Sequence, residues 1–151
     1  MFNDFGVLQM KIMGIDYGDS RVGIALSDSL GMMAQGYKTL PNKFYPKLLD
    51  AVVEIVNDFE VKIIVLGMPK NMNGTYGPRA DVTKVFANDL SVKLPDVSVV
   101  FEDERLTTVE ASKFLNATNT RGKSRKNVID TVSAEIILQG YLDRNRSNFN
   151  K

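Results

Sequence analysis

The chain has 151 residues, 25% of them charged and 44% apolar, an ordinary composition for one globular domain. It contains neither Cys nor His, which excludes disulfides, thiolate or imidazole metal ligands, cysteine nucleophiles and histidine-based triads. Chemistry here must come from carboxylates, Lys, Tyr, Ser, Thr or a metal held by oxygen. The formal net charge is +1, yet residues 1–104 carry 10 Lys and Arg against 14 Asp and Glu, and residues 105–151 carry 9 against 4. An acidic part joined to a basic part suits a metal site beside a phosphate-binding surface.

In chain order, residues 1–10 read as an extension, 11–143 as a single domain and 144–151 as a polar tail. Met1 and Met10 both remain open as the natural start. The N-terminus has no basic-then-apolar secretory pattern, and no apolar run approaches the ~18 residues of a membrane span. A cytoplasmic location is expected. Lys11–Asp16 and Val22–Ser27 read as β-strands joined by the turn formers Tyr17-Gly18-Asp19-Ser20, with Met32–Leu40 as a third strand. Their spacing suggests an antiparallel meander. Phe44, Leu48, Val52, Ile55, Val56 and Phe59 then recur at helical spacing, predicting a helix from about Lys43 to Phe59. Val61–Leu66 is nearly all apolar, as in a central strand covered on both faces.

A loop rich in glycine and polar residues, Gly67 to Gly77, precedes a second helix from about Arg79 to Lys93, with Val82, Val85, Phe86 and Leu90 on one side. Its glycines could bring amides to a phosphate, but the Gly-Lys-Ser/Thr ending of a P-loop is absent. Val97–Phe101 reads as a strand ending in Glu102-Asp103-Glu104. Thr107 and Glu110 form a capping box for a third helix through Phe114 and Leu115. Asn116–Ser124 reads as a mobile polar loop. A last helix runs from about Arg125 to Leu142, apolar around most of its circumference. The order βββ-α-β-α-β-α-α predicts an α/β domain: a mixed five-stranded sheet, three antiparallel strands then parallel ones, with helices on both faces.

Acidic residues close buried strands: Asp16 the first, Asp103 and Glu104 the last. Neighbouring strands lie ~5 Å apart, so carboxylates at adjacent C-terminal ends converge where open α/β sheets bind ligands. Asp130 sits among apolar residues early in the final helix, an unfavourable place for a carboxylate unless it faces a cation. Such carboxylates, with no nitrogen or sulfur ligand, describe a site for Mg²⁺ or Mn²⁺. Each has a plainer explanation: Asp16 as a turn residue, Asp103 and Glu104 as a solvated strand exit, Asp130 at a helix start. Arg121, Lys123, Arg125 and Lys126 fall within six residues just before Asp130, where phosphate contacts would be useful.

Gly14-Ile15-Asp16-Tyr17-Gly18, followed by Arg21-Val22-Gly23-Ile24-Ala25-Leu26-Ser27-Asp28, resembles the opening motif of the bacterial Holliday junction resolvase-like proteins. These ribonuclease H-like proteins are also described as pre-16S ribosomal RNA nucleases. Val65-Leu66-Gly67-Met68-Pro69 with Met72-Asn73-Gly74 and Gly77 is similar to their second motif, and Asp103-Glu104-Arg105-Leu106-Thr107-Thr108 to their third. Lys126, Asp130, Ala134 and Ile137-Leu138-Gln139 match their C-terminal helix.

The resemblance implies a ribonuclease H-like fold and a metal-dependent nuclease, a hydrolase of phosphodiester bonds. Its site would be Asp16, Glu104 and Asp130, with Asp103 as the alternative middle acid. Strand alternation sends Asp103 and Glu104 to opposite faces, so one of them serves. Two Mg²⁺ ions would clamp attacking water and leaving oxygen, and Arg105 with the Arg121–Lys126 segment would hold phosphates. Related nucleases often carry a second acid one turn after the helix aspartate; here that position is Ser133. The implied partner is structured RNA, as in 5′ processing of pre-16S ribosomal RNA, or branched DNA, with no membrane. Junction resolution needs a homodimer, whereas RNA trimming can use a monomer. The competing reading is a catalytically silent nucleic-acid-binding module. The first motif also resembles the phosphate motif of actin-like ATPases, which need two such domains.

Overall fold

The computed structural model describes residues 10–69, 76–103 and 122–145, with 122–130 described by backbone alone. The Thr107–Glu110 capping box, the helix through Leu115, Arg105, Arg121 and most of the Gly67–Gly77 loop lie outside the described residues.

Three strands open the chain: β1 (Lys11–Tyr17), β2 (Arg21–Ser27) and β3 (Ala34–Pro41). They form the expected meander, β1 pairing antiparallel with β2 and β2 with β3. Gly18 permits the first turn, since a Cβ there would fall 2.5 Å from the Arg21 carbonyl oxygen. At the second turn the Asp28 carboxylate accepts a 2.8 Å bond from the Met32 amide, and Gly31 takes a positive φ of 70°.

The chain continues through α1 (Tyr45–Phe59), β4 (Val61–Met68), α2 (Pro78–Lys93), β5 (Ser98–Asp103) and α3 (Gly122–Arg144). β4 pairs parallel with both β1 and β5, giving the sheet order β3-β2-β1-β4-β5. Strand alternation splits the core in two. Met13, Ile15, Ile64 and Leu66 face α1 and α2, alongside Leu48, Val52, Phe86 and Leu90. Ile12, Ala25 and Val65 face α3, alongside Ala134, Ile137, Leu138 and Leu142. The predicted coverage of β4 on both faces is therefore found.

Several boundaries differ from the sequence reading. Phe44 is not on the buried face of α1; it is the extended N-cap residue and 66% exposed, and the helix starts at Tyr45 rather than about Lys43, with Pro46 in its first turn. Val82 and Val85 are also outside the core, 46% and 58% exposed. Ala80, Thr83, Phe86, Ala87 and Leu90 form the buried stripe of α2, whose phase is set by the large Phe86 and Leu90 and by small neighbours that allow close approach. The last helix begins at Gly122 rather than Arg125. Residues 122–124 are thus its first turn: Gly122 and Ser124 are weak helix formers, but with no proline there the helix extends back one turn from Arg125. α3 is buried along one stripe, Ser133, Ala134, Ile137, Leu138 and Leu142; Val132, Ile136 and Tyr141 flank it half-exposed.

Candidate active site

The C-terminal ends of β1, β4 and β5 share one edge of the sheet. Asp16 is the penultimate residue of β1 and only 8% exposed. It has the strand parity of Ile12 and so lies on the α3 face. Ile15 is level with Leu66, and Gly67 is level with Glu102. A glycine without a side chain thus lies on β4 between Asp16 and the acidic end of β5.

β5 carries its acids to opposite faces. Glu102 has the parity of Val100, which packs in the α3 cluster, and its carboxylate forms an ion pair with Arg144 near the end of α3. Asp103 has the parity of Val99, which packs on the α1–α2 side. It lines a solvent-open cleft of about 300 Å³ with Met68, Tyr76, Lys84 and Phe101. Asp16 and Asp103 therefore do not share a face. Glu104 lies outside the described residues.

The α3 side is held by unusually close contacts. A Cβ at Gly14 would fall 2.6 Å from the Leu138 Cβ and 2.8 Å from the Ala134 carbonyl oxygen, so backbone rests on backbone where α3 crosses β1. At β3, Gly36 would meet the Thr131 Cβ at 3.1 Å. Gln139 fixes the start of β3: its carbonyl accepts from the Ala34 amide at 2.8 Å and its amide donates to the Met32 carbonyl at 3.1 Å. Position 130 is in the helix, one turn before Ser133 and Ala134. Ser133 is fully buried, and its hydroxyl has no hydrogen-bond partner among the described residues. The backbones at 123, 125 and 126 belong to the first turns of this helix, whose first turn contains no acid.

Behind β1, on the opposite face, Tyr17 packs on Phe86 with ring centroids 4.4 Å apart, and Tyr45 meets Phe86 edge-on at 6.3 Å. The Tyr45 hydroxyl donates to an Asp89 carboxylate oxygen at 2.6 Å. Burial first, then this bond and the Asp89 charge, push the Tyr45 hydroxyl well above the usual tyrosine range. Burial alone raises Tyr141. Sequence reasoning missed the cleft around Tyr76 and Phe101, whose aromatics lie far apart in the chain; the visible signal was Phe101 on the strand that becomes a sheet edge.

Among the described residues no three acidic side chains gather closely enough to hold a metal ion. The donor chemistry nonetheless fits a hard cation: Asp16 offers buried carboxylate oxygen, and the chain has no imidazole or thiolate to favour a softer metal. No helix among the described residues is long and apolar enough to cross a membrane.

A mixed sheet in the order 3-2-1-4-5, with an aspartate on its first strand and a helix packed across its face, defines a ribonuclease H-like fold. Its solved neighbours agree. RuvC of T. thermophilus in complex with a Holliday junction substrate superposes with a TM-score of 0.56 at 14% identity, covering 94% of this chain and 98% of that one. The fowlpox virus resolvase, in complex with substrate Holliday junction DNA, gives 0.57 at 10% identity, covering 89% and 98%. The chain belongs to the RuvX Holliday junction resolvase family, whose model matches residues 10–144. Among curated relatives, the Halothermothrix orenii protein named "Putative pre-16S rRNA nuclease" is 48% identical over 134 residues, 89% of this chain and 95% of that protein. The protein of the same name from Ruminiclostridium cellulolyticum is 45% identical over 140 residues, 92% and 98%. Membership gives the chain a nuclease role: it is a hydrolase acting on ester bonds of nucleic acid.

Proposed function

We propose that the chain is a metal-dependent endonuclease of structured RNA that trims the 5′ end of pre-16S ribosomal RNA in the cytoplasm. Asp16, Glu104 and Asp130 are its catalytic acids. The observation that carries this reading is the placement of Asp16, buried at the C-terminal end of β1 on the face that α3 covers. Two further acids come from the motifs. Asp103 has the parity of Val99 and lies on the face opposite Asp16, which favours Glu104 as the middle acid. Helical spacing groups position 130 with Ser133 and Ala134, residues of the buried stripe.

These three carboxylates would hold Mg²⁺ or Mn²⁺, which supplies charge stabilisation at a phosphodiester and activation of water. The chain's own contribution is to fix the acids and to position phosphates. Lys123, Arg125 and Lys126, at the amide-rich start of α3, suit the latter role, because a helix N-terminus already favours anions. Arg105 and Arg121 add charge nearby in sequence. RNA is preferred to branched DNA because the curated relatives carrying the RNA nuclease name align over nearly their whole length. A monomer suffices for such trimming; a homodimer would be needed to resolve a junction symmetrically.

The test is cleavage of a precursor ribosomal RNA segment and of a four-way DNA junction, each with and without Mg²⁺. Mg²⁺-dependent RNA cleavage that falls ~100-fold or more in Asp16→Asn is expected. Cleavage surviving both EDTA and this substitution would overturn the metal site. Binding without cleavage under all conditions would mark a silent nucleic-acid-binding module instead.

A further inference from the structure

The cleft between β4, β5 and α2 lies at the same sheet edge as Asp16 but on the opposite face. Met68 and Asp103, the last residues of β4 and β5, are paired across its floor. Tyr76 and Phe101 are 50% and 46% exposed. That exposure is unusual for two large aromatic side chains lining one cavity. The Lys84 ammonium stands 4.9 Å from the Tyr76 ring centroid, and Asp103 completes the lining. The volume of about 300 Å³ is at the lower end for small-molecule sites.

We infer that this cleft is a subsite for an unpaired nucleobase of a single-stranded RNA segment leading to the cleavage site. The inference rests on the nuclease reading above and specifies which part of the substrate is held. Aromatic faces stack bases of any sequence, and a lysine beside them matches the neighbouring phosphate. The carboxylate makes a bare anion a poor occupant, yet it is a good acceptor for a ring or amino N–H on a base edge. A nucleotide satisfies both charges at once. Phe101 is level with Leu66, and Leu66 with Ile15, the neighbour of Asp16, so the subsite stands two strand spacings, ~10 Å, across the sheet from β1. A single strand crossing the edge can place a base here and a phosphate on the Asp16 face. A continuous duplex keeps its bases stacked and paired, so it cannot use the cleft.

The experiment is fluorescence anisotropy on the full chain in metal-free buffer, with a labelled 12-nucleotide single-stranded RNA and the same sequence as a duplex. Tyr76→Ala and Phe101→Ala should each weaken single-strand binding about 10-fold and leave duplex binding within about twofold. Tyr76→Phe and Phe101→Tyr should bind as the parent does, which separates stacking from a folding defect in the edge strand. Lys84→Gln should lower the salt dependence of single-strand binding by about 0.7 units of slope. Alanine variants that bind both RNAs as the parent does would overturn the subsite, as would equal losses on single strand and duplex. A parent protein that binds no single-stranded RNA would also overturn it. The nuclease reading fails separately, on absence of Asp16-dependent cleavage by the parent.

Discussion

The two faces of the sheet are built on different principles. On the α1–α2 face, contacts run between large side chains: Phe86, fully buried, receives Tyr17 at 4.4 Å and Tyr45 at 6.3 Å. On the α3 face the decisive contact is between backbones, Gly14 against Ala134, with Gly36 admitting Thr131 nearby. Bulky side chains can shift rotamers to accommodate change, whereas touching backbones fix a distance. The proposed site, which draws Asp16 from β1 and Asp130 from α3, would need that distance fixed. The aromatic face therefore supplies stability, and the small-residue face sets geometry.

The strongest test of this division is Phe86→Ala. It should cost about 3–5 kcal/mol in urea unfolding, because a fully buried aromatic leaves a cavity. Nuclease activity per folded molecule should stay within about threefold of the parent, since the lost contacts lie behind β1. A stable variant, or one folded but inactive, would show that the two faces are not separable in this way.

Much of this division was legible in the chain. The β-type run Lys11–Asp16 and the apolar run of β4 placed the central strands, and the turn formers from Tyr17 to Ser20 placed the start of the meander. The phase of α2 was harder to read, because valines at 82 and 85 carry hydrophobicity equal to that of the buried set. Only the tertiary fit of Phe86 decides which side faces inward. Asp16 stood out as an acid within an apolar strand. Alternation parts Asp103 from Glu104 but does not say which of them shares a side with Asp16; that Asp103 lies opposite Asp16, and that Glu102 pairs with Arg144, depends on strand register and on how α3 crosses the sheet. Gly122 and Ser124 suggest irregular chain, yet the backbone there forms the first turn of α3.

Gly14→Ala tests the geometric face directly. The added methyl meets the Ala134 carbonyl and Leu138 Cβ, and forcing α3 outward should cost about 1–3 kcal/mol. Gly36→Ala should cost less, its nearest neighbour being a side-chain carbon at 3.1 Å. Cleavage under fully folded conditions should drop for Gly14→Ala and hold for Gly36→Ala. Equal activities in the two variants would remove the claim that the β1–α3 contact sets the site.

Ser133→Ala should have a smaller effect and the opposite sign. The hydroxyl is buried without a partner among the described residues, so removing it should leave stability unchanged or raise it by up to about 1 kcal/mol. A loss of more than that in urea unfolding would mean that the hydroxyl is hydrogen-bonded in solution.

The last effect belongs to the aromatic face and fades in alkali. Tyr45 on α1 donates to Asp89 on α2 at 2.6 Å, and burial, with that bond and charge, raises its pKa above the ordinary value of about 10. The folded chain then keeps a proton that the unfolded chain has lost. The resulting stabilisation is complete below about pH 10 and declines as pH climbs towards the raised folded value. Tyr45→Phe deletes both the bond and this titration. At about pH 8 the variant should be less stable by roughly 0.5–1.5 kcal/mol, the net worth of one hydrogen bond. As pH passes about 10 the parent should lose stability faster than the variant, and the gap should close. Tyr141, also raised, contributes the same alkaline decline to both proteins and cancels in the difference. Urea midpoints of the pair, measured at intervals from about pH 8 to 11, decide it: a gap that stays constant across that range would show that the Tyr45 proton does not tie α1 to α2.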